Sequence, residues 1–184
     1  MGAYGLSRYK IGGNLLPFWF LSLLFAPPIV FAFPLYLMFR KIGLLDTIQG
    51  LVAANLIFNL PFSIWIFYST LNVTPEYIEE AAVIEGAGSW MIFRKIITPL
   101  ISPVIASVGA LVFIFVWGEY LFSTILMTMH NPLTIALAEY STGQLVLHTV
   151  ISAGISVSII PSIIILVVFE RYLATGLSFG AIRA

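Results

Sequence analysis

The sequence predicts an all-α integral membrane protein with about four transmembrane helices and one long polar segment between the second and the third. Of its 184 residues, 60% are hydrophobic and 9% are charged, and the mean hydropathy is +1.06. Ordinary soluble domains have about 25% charged residues. Long apolar runs alternate with short charged stretches. Because backbone polar groups in lipid must be satisfied internally, such runs are expected to be helices.

The composition also excludes several classes of protein. The net charge is zero and the eight bases are scattered, which argues against nucleic-acid binding and against a polybasic membrane anchor. The absence of cysteine excludes disulfides, thiolate metal sites and cysteine nucleophiles. His130 and His148 lie near the ends of predicted spans without metal-ligand spacing. We therefore expect neither a metal nor a cofactor.

The first predicted span is the uncharged run 15–39. It is long enough to cross a bilayer with some tilt. A signal peptide is the alternative, but the run is too long for one and has no small-residue cleavage site. Prolines within a span require neighbouring helices or water to satisfy the freed carbonyls, so we expect this helix to be kinked and packed inside a bundle. The prolines are Pro17, Pro27, Pro28 and Pro34.

The second predicted span, 50–71, follows an aqueous boundary marked by Arg40, Lys41 and Asp46. Asn55 and Asn59 lie four residues apart and therefore share one helix face. Two interpretations remain open for them. They hydrogen-bond to another helix, or they line a substrate path, because polar groups inside a membrane usually face the bundle interior or a cavity.

The third and fourth predicted spans are 99–128 and 148–169, and a tail follows at 172–184. The stretch 131–147 between the spans is too polar for lipid. Glu119 lies within the third span, where an acid is costly. Its two possible roles are a boundary or interhelical contact and a place on the translocation path.

The polar segment 74–98 holds half of the chain's acids. Thr74 is a good N-cap and Pro75 a good first helical residue, so a helix is predicted to begin there. Gly86 is able to end it in the left-handed conformation, and Ser89 caps a second short helix that reaches Ile97. The prediction is a helix, a glycine elbow and a helix. On the first helix, one side gathers Tyr77, Ile78, Ala81, Ala82 and Ile84, and another gathers Glu76, Glu79 and Glu80.

This segment either lies on the membrane surface or docks against a partner protein. Membrane-surface helices are typically basic on their polar face. The polar face here is acidic, which favours a partner whose arginines or lysines pair with the glutamates. The hypothesis is a docking helix on which a cytoplasmic motor pushes.

The basic residues predict the orientation of the chain. With a cytoplasmic N-terminus, six of the eight bases fall inside, and Arg40 and Lys41 fall outside. The opposite orientation reverses that count. Both termini and the segment 74–98 are therefore expected in the cytoplasm. The six bases are Arg8, Lys10, Arg94, Lys95, Arg171 and Arg183.

The polar segment resembles the EAA loop of ABC-transporter permease subunits. Glu80-Ala81-Ala82, then Gly86, then Ile96 with Thr98-Pro99, follows the family pattern EAA, G and I-x-L-P, with Thr98 in place of the usual leucine. Further stretches resemble the carbohydrate-importing, MalG-like branch. They are Ala3-Tyr4, Ser7-Arg8-Tyr9, Pro34-Leu35-Tyr36, Gly43 to Thr47, Leu60-Pro61-Phe62, Trp117 to Phe122, and the ending from Glu170 to Ala181.

The resemblance implies a permease subunit of an ATP-driven importer in a prokaryotic inner membrane. Its implied partners are a cytoplasmic ABC ATPase dimer, a second and different permease subunit, and an extracytoplasmic solute-binding protein, and its implied solute is a sugar or oligosaccharide. The family positions that couple to the ATPase match Glu80, Ala81, Ala82 and Gly86. Local geometry adds Glu76, Glu79 and Ile84 as further candidates.

Other functions remain as alternatives. The solute could instead be a polyol or glycerol phosphate. The family usually has about six spans and the resemblance leaves four, so a non-functional truncated fragment lacking the first two helices is a further possibility. A secondary carrier would need an inverted repeat or broken helices with ionisable groups, and an intramembrane hydrolase a nucleophile with its base. No GxxxxGK[ST] motif is present, so ATP hydrolysis is expected from a separate subunit.

Overall fold

The computed structural model describes residues 1–129, 132–142 and 148–178, and no β-strand occurs within these ranges. The helices are α1 (Gly2–Arg8), α2 (Leu15–Leu24), α3 (Pro28–Ile42), α4 (Ile48–Val73), α5 (Tyr77–Ile84), α6 (Ser89–Ile92), a π-helical segment (Phe93–Ile97), α7 (Thr98–Leu100), α8 (Ser102–Trp117), α9 (Leu121–Leu126), α10 (Leu133–Thr142) and α11 (His148–Ser178). The bundle is built around one long central helix, α4, against which α1, α2, α8 and α9 pack.

The all-α membrane architecture predicted from the composition is confirmed. In the described part of the chain, Ile48–Val73 and Thr149–Tyr172 are each long and apolar enough to cross a membrane. Two bent pairs of helices bring the number of candidate spans to as many as four: Leu15–Leu24 with Pro28–Ile42, and Ser89–Leu100 with Ser102–Trp117. The assignment of each bent pair to one span stays a prediction.

The first predicted span is not one kinked helix. Its two halves, α2 and α3, meet at 95°. Pro27 is extended, with φ −62° and ψ 128°, because the following Pro28 disfavours the α conformation in the residue before it. Pro28 then begins α3. Pro17 lies in the first turn of α2, where the missing N–H would have no intrahelical partner, and is tolerated there.

The third predicted span, 99–128, is also interrupted. α7 and α8 are separated at Ile101, just before Pro103, and the pair that contains them bends by 71°. α8 ends at Trp117, and α9 starts afresh at Leu121. The polar Gly118-Glu119 sequence lies in this break, so the helix does not continue to residue 128 as predicted.

Two apolar clusters lie at opposite ends of α4. The first, which we call the α5 end, joins α1, the last turn of α4, α5 and α6. The second, the α9 end, joins α3, the first half of α4 and α9. The α5 end comprises Ala3, Tyr4, Leu71, Ala82, Ile92, Ile97 and Ile101, and the α9 end comprises Leu35, Phe39, Ala54, Phe122 and Leu126.

The α9 end is closed by a backbone network around Asp46. The carboxylate Oδ1 accepts the backbone N–H groups of Thr128 and Met129 at 2.8 and 2.9 Å. The backbone N–H of Asp46 donates to the carbonyl of Leu126 at 2.8 Å. The turn before α4 is thus joined to the end of α9.

Two hydrogen bonds set α11 antiparallel to α8. The hydroxyl of Ser107 donates to the carbonyl of Tyr172 at 2.6 Å, and the indole N–H of Trp117 donates to the carbonyl of Ser158 at 2.9 Å. Because Ser107 is near the start of α8, Tyr172 lies toward the α5 end. The other faces of α11 expose large aliphatic side chains, as expected for a helix in contact with lipid.

Replacing Gly50 by alanine is expected to destabilise the protein. A Cβ at this position in the first turn of α4 would overlap the backbone carbonyl oxygen of Leu44, which has no free rotamer to move into. We expect the free energy of unfolding to fall by about 1–3 kcal/mol. Thermal unfolding of the purified chain in detergent measures this. Gly109→Ala is the control, since a Cβ at Gly109 meets open space, and an equal loss in both variants would contradict the prediction.

Candidate functional site

The polar segment folds as a helix, a glycine elbow and a helix, but its first helix begins later than the sequence predicts. Glu76, not Thr74, is the N-cap residue of α5, and its carbonyl accepts the N–H groups of Glu79 and Glu80 at 2.9 and 3.1 Å. The hydroxyl of Thr74 instead donates to the carbonyl of Thr70 at 2.9 Å and terminates α4. The predicted start at Pro75 is therefore early by two residues.

The elbow has the predicted left-handed glycine. Gly86 has φ +86°, its N–H donates to the carbonyl of Val83 at 2.9 Å, and the N–H of Ala87 donates to the carbonyl of Ala82 at 2.9 Å. These bonds satisfy two of the carbonyls that a helix end leaves open. The second helix has Gly88 rather than the predicted Ser89 as its N-cap, starts at Ser89, and passes from α6 into the π-helical segment that ends at Ile97.

The predicted coupling residues divide between two faces of α5. The side chains of Glu79 and Ala82 are buried, being three residues apart on the inner face. Glu80, Ala81 and Ile84 are exposed, and 87% of the surface of Ile84 is accessible. The predicted separation of an apolar side from an acidic side is therefore wrong. The exposed face, which we call the outer face of α5, consists of Tyr77, Glu80, Ala81, Val83 and Ile84, and the exposed Gly86 follows it.

The inner face is held by a buried carboxylate. Oε1 of Glu79 accepts from Nε of Arg8 at 2.6 Å, and Oε2 accepts from the hydroxyl of Tyr4 at 2.6 Å. Arg8 also donates through a terminal nitrogen to the carbonyl of Thr74 at 2.9 Å and lies 3.5 Å from the exposed Glu76. Both charged groups are therefore paired and hydrogen-bonded, as burial of charge requires.

The same contacts affect the ionisation of Tyr4. Burial of the hydroxyl and, next, its hydrogen bond to Glu79 raise the pKa of Tyr4 above its ordinary value. The ionised phenolate would lose solvation and would meet a carboxylate 2.6 Å away. Tyr4 is therefore a hydrogen-bond donor at neutral pH.

Sequence reasoning missed the partnership of Tyr4 and Arg8 with Glu79. A signal was present, because Tyr4 and Arg8 lie four residues apart in a chain that has few bases, and so share one face of α1. The pattern does not say which of the chain's acids that face meets. The contact joins residues 75 and 71 positions apart, which only the tertiary structure brings together.

The other predicted site residues meet in one cleft. Asn55, Asn59 and Glu119 all line a cleft of about 360 Å³ with aromatic walls that include Phe58 and Phe115. A second cleft of about 500 Å³ shares Asn55 and Glu119 with the first. The structure thus places Glu119 in the same cleft as the pair Asn55 and Asn59, which the sequence puts on one helix face.

The hydrogen bonds that the structure shows for the two asparagine side chains lie within α4, so the interhelical contact of one interpretation stays a prediction. Nδ2 of Asn55 donates to the carbonyl of Leu51 at 3.0 Å, and Nδ2 of Asn59 donates to the carbonyl of Asn55 at 2.9 Å. Each amide thus uses one of its two N–H groups within α4. The remaining polar surface of the half-buried Asn59 faces the cleft that it lines.

Glu119 stabilises the start of α9. Its Oε1 accepts the backbone N–H of Phe122 at 2.6 Å, and its Oε2 accepts the N–H and the hydroxyl of Ser123 at 3.0 and 2.8 Å. Its own carbonyl accepts the hydroxyl of Thr134 at 3.0 Å. The carboxylate therefore accepts from the N–H groups that a helix start leaves open, which is a local capping role. A boundary or interhelical contact and a place on the translocation path both stay predictions.

Several residues considered in the sequence lie outside the described part of the structure. They include His130, Arg183 and the side chains of Glu139 and His148. Over the residues whose side chains are described, no three His, Cys, Asp or Glu residues are close enough together to hold a metal ion.

This combination of features defines a class of protein: a helical membrane component with a helix–elbow–helix segment after its long central helix. Residues 1–179 match the family of binding-protein-dependent transport system inner membrane components. The chain belongs to this family, and the resemblance stated from its motifs is confirmed.

Three relatives share about a third of the sequence. The trehalose/maltose transport system permease protein MalG of Thermococcus litoralis is 33% identical over 188 residues, covering 100% of this chain and 67% of its own. The trehalose transport system permease protein SugB of Mycobacterium tuberculosis is 32% identical, with 100% and 69% covered. The diacetylchitobiose uptake system permease protein NgcG of Streptomyces coelicolor is 31% identical, with 100% and 62% covered. The chain thus spans 62 to 69% of their lengths.

Replacing Glu119 by alanine is expected to loosen α9. The N–H groups of Phe122 and Ser123 would lose their acceptors, which typically costs about 1–2 kcal/mol at a helix start. Hydrogen exchange of the segment 120–126, followed by mass spectrometry, should become faster. Glu119→Gln keeps one carbonyl acceptor and should show a smaller increase. Unchanged exchange in the alanine variant would contradict the assigned role.

Proposed function

We propose that the chain is a permease subunit of an ATP-driven importer for a sugar or oligosaccharide. It forms part of the translocation path and works with a cytoplasmic ATPase dimer, a second permease subunit and an extracytoplasmic solute-binding protein. Family membership and the three sugar-transport relatives support this proposal. ATP hydrolysis is assigned to the separate ATPase.

The proposed orientation places the α5 end in the cytoplasm. The bonds from Arg8 to Glu79 and to Thr74 hold the N-terminal helix and the polar segment together, so both lie at one end of the bundle. The antiparallel pairing of α11 with α8 brings Tyr172 toward the same end. The bases of these segments then fall on the cytoplasmic side, in agreement with the positive-inside rule.

The observation that carries the coupling role is the division of α5 into two faces. Its inner face is anchored in the protein by Glu79 and Ala82, and its outer face is free to enter a groove. Ile84 supplies an apolar anchor, Ala81 permits close approach, and Glu80 offers a carboxylate to a basic partner residue. We assign the contact with the ATPase to Glu80, Ala81, Ile84 and Gly86, and internal positioning to Glu79 and Ala82.

The cleft lined by Asn55, Asn59 and Glu119 supports a neutral polyhydroxylated solute. Aromatic walls with a few polar groups are typical of small-molecule sites. A glycerol phosphate would bring its negative charge close to the carboxylate of Glu119, which favours a sugar or another neutral polyol over an anion. The residues that touch the solute are proposed to be Asn55 and Asn59, with Glu119 acting through α9.

Cysteine crosslinking tests the coupling surface directly, because the chain has no native cysteine. Ala81→Cys, on the outer face, is expected to crosslink to a cysteine placed in the groove of the co-expressed ATPase, and nucleotide should change the yield. Ala82→Cys is the matched control, since Ala82 is only 7% exposed and should react poorly.

Two outcomes would contradict the coupling proposal. One is equal crosslinking of Ala81→Cys and Ala82→Cys, which would contradict the assignment of Ala81 to the outer face and of Ala82 to the inner face. The other is the absence of a crosslink from Ala81→Cys in membranes where a full-length relative gives one. That result would favour a non-functional fragment.

The solute class is tested by uptake into proteoliposomes that contain the complete transporter. Asn59→Ala should reduce uptake of a neutral disaccharide several-fold while solute-independent ATP hydrolysis stays unchanged, because only contacts to the solute are lost. Glycerol 3-phosphate should not be taken up. Uptake of the anion at a rate similar to that of the sugar would contradict the assignment of a neutral solute.

A further inference from the structure

The short N-terminal helix α1 is joined to both sides of the hinge that precedes α5. On the α4 side, the hydroxyl of Ser7 donates to Oδ1 of Asn72 at 2.7 Å, and Arg8 donates to the carbonyl of Thr74 at 2.9 Å. On the α5 side, Arg8 and Tyr4 each donate to one oxygen of Glu79. Arg8 therefore bridges the two helices through a single side chain.

The covalent connections of α5 do not fix its direction by themselves. Thr74, before the helix, is extended, with φ −75° and ψ 125°. Gly86, after it, has φ +86° and is followed by the extended Gly88, with ψ 156°. Neither link is helical, so the backbone of the eight-residue α5 does not continue that of α4 or α6. Its direction must be set by side-chain contacts.

We propose that Tyr4 and Arg8 are positioning residues that lock α5 to α1 through Glu79, so that α1 and α5 move as one lever on the end of α4. This inference rests on the proposed function, since it names how a push on the outer face of α5 reaches the spans. Neither residue touches the ATPase or the solute in this scheme.

The hydrogen bonds to Glu79 fix the position of α5 against α1 more specifically than an apolar contact would. The two oxygens of Glu79 are held from two directions by donors at 2.6 Å, which fixes the rotation of the carboxylate as well as its position. The ring of Tyr4 also packs on Phe93, with ring centroids 5.4 Å apart. This contact joins α1 to the π-helical segment that follows Gly86. A contact between alkyl groups would have no such directional preference.

The lock can be measured without the ATPase. Spin labels at Gly2→Cys and Ala81→Cys, both exposed positions, report the distance between α1 and α5 in the detergent-solubilised chain. We expect a narrow distance distribution in the otherwise unmodified chain and a clearly broader one in Glu79→Gln or Tyr4→Phe. A distribution that keeps its width in both variants would overturn the proposal.

The functional consequence is measured in the complete transporter. Tyr4→Phe keeps the ring and removes one donor to the carboxylate, so the ATPase should still assemble and hydrolyse ATP while the solute moved per ATP falls about tenfold, the factor for one charge-assisted hydrogen bond. Tyr9→Phe is the matched control. Tyr9 is 58% exposed and its hydroxyl does not contact Glu79. The amount of solute moved per ATP should therefore not change in this variant.

The outcomes separate this inference from the proposed function. A normal transport ratio in Tyr4→Phe, or a loss of transport only in proportion to a loss of assembled complex, would overturn the lever. A lack of solute-dependent ATP hydrolysis in the unmodified complex would instead overturn the proposed function, and the spin-label measurement would still decide whether α1 holds α5. We expect Tyr4→Phe to broaden the distance distribution between the spin labels and to lower the amount of solute moved per ATP.

Discussion

The buried carboxylate of Glu79 is the interaction on which the α5 end of this protein depends. Burial of an ion is costly, and the cost is offset only when every hydrogen-bonding position is used. Here Arg8 and Tyr4 satisfy the two oxygens, and Arg8 in turn satisfies the carbonyl of Thr74. The arrangement therefore contributes more to the direction of α5 than to the net stability of the protein. It determines which side of α5 faces outward.

The opposite end uses carboxylates in another way. Asp46 and Glu119 accept backbone N–H groups, at the end and at the start of α9 respectively. Breaks in helices at membrane depth leave such groups without partners, and lipid offers none. The carboxylates of Asp46 and Glu119 satisfy the backbone N–H groups at these two ends of α9. The interruption at residues 118–120 is thus compatible with a membrane protein.

The sequence predicted the all-helical membrane class, the apolar cores of the spans and the left-handed Gly86, because these depend on composition and local conformation. It did not predict the 95° bend between α2 and α3, because a proline in a span permits either a kink or a full break. Local spacing placed Asn55 and Asn59 on one helix face, but it could not show that Glu119, 60 or more residues away, lines the same cleft. The orientation of Glu79 required knowledge of a contact 71 residues away.

The pair Ala81-Ala82 shows why a small-residue motif serves two surfaces at once. Consecutive residues of a helix point about 100° apart, so one alanine enters the apolar cluster with Leu71 and Ile92 while the other remains outside. A larger residue at position 82 would push α5 away from the cluster that anchors it. A larger residue at position 81 would leave the fold intact and change only what a partner meets. The two alanines therefore carry separate constraints, one from the protein's own core and one from the surface that it presents.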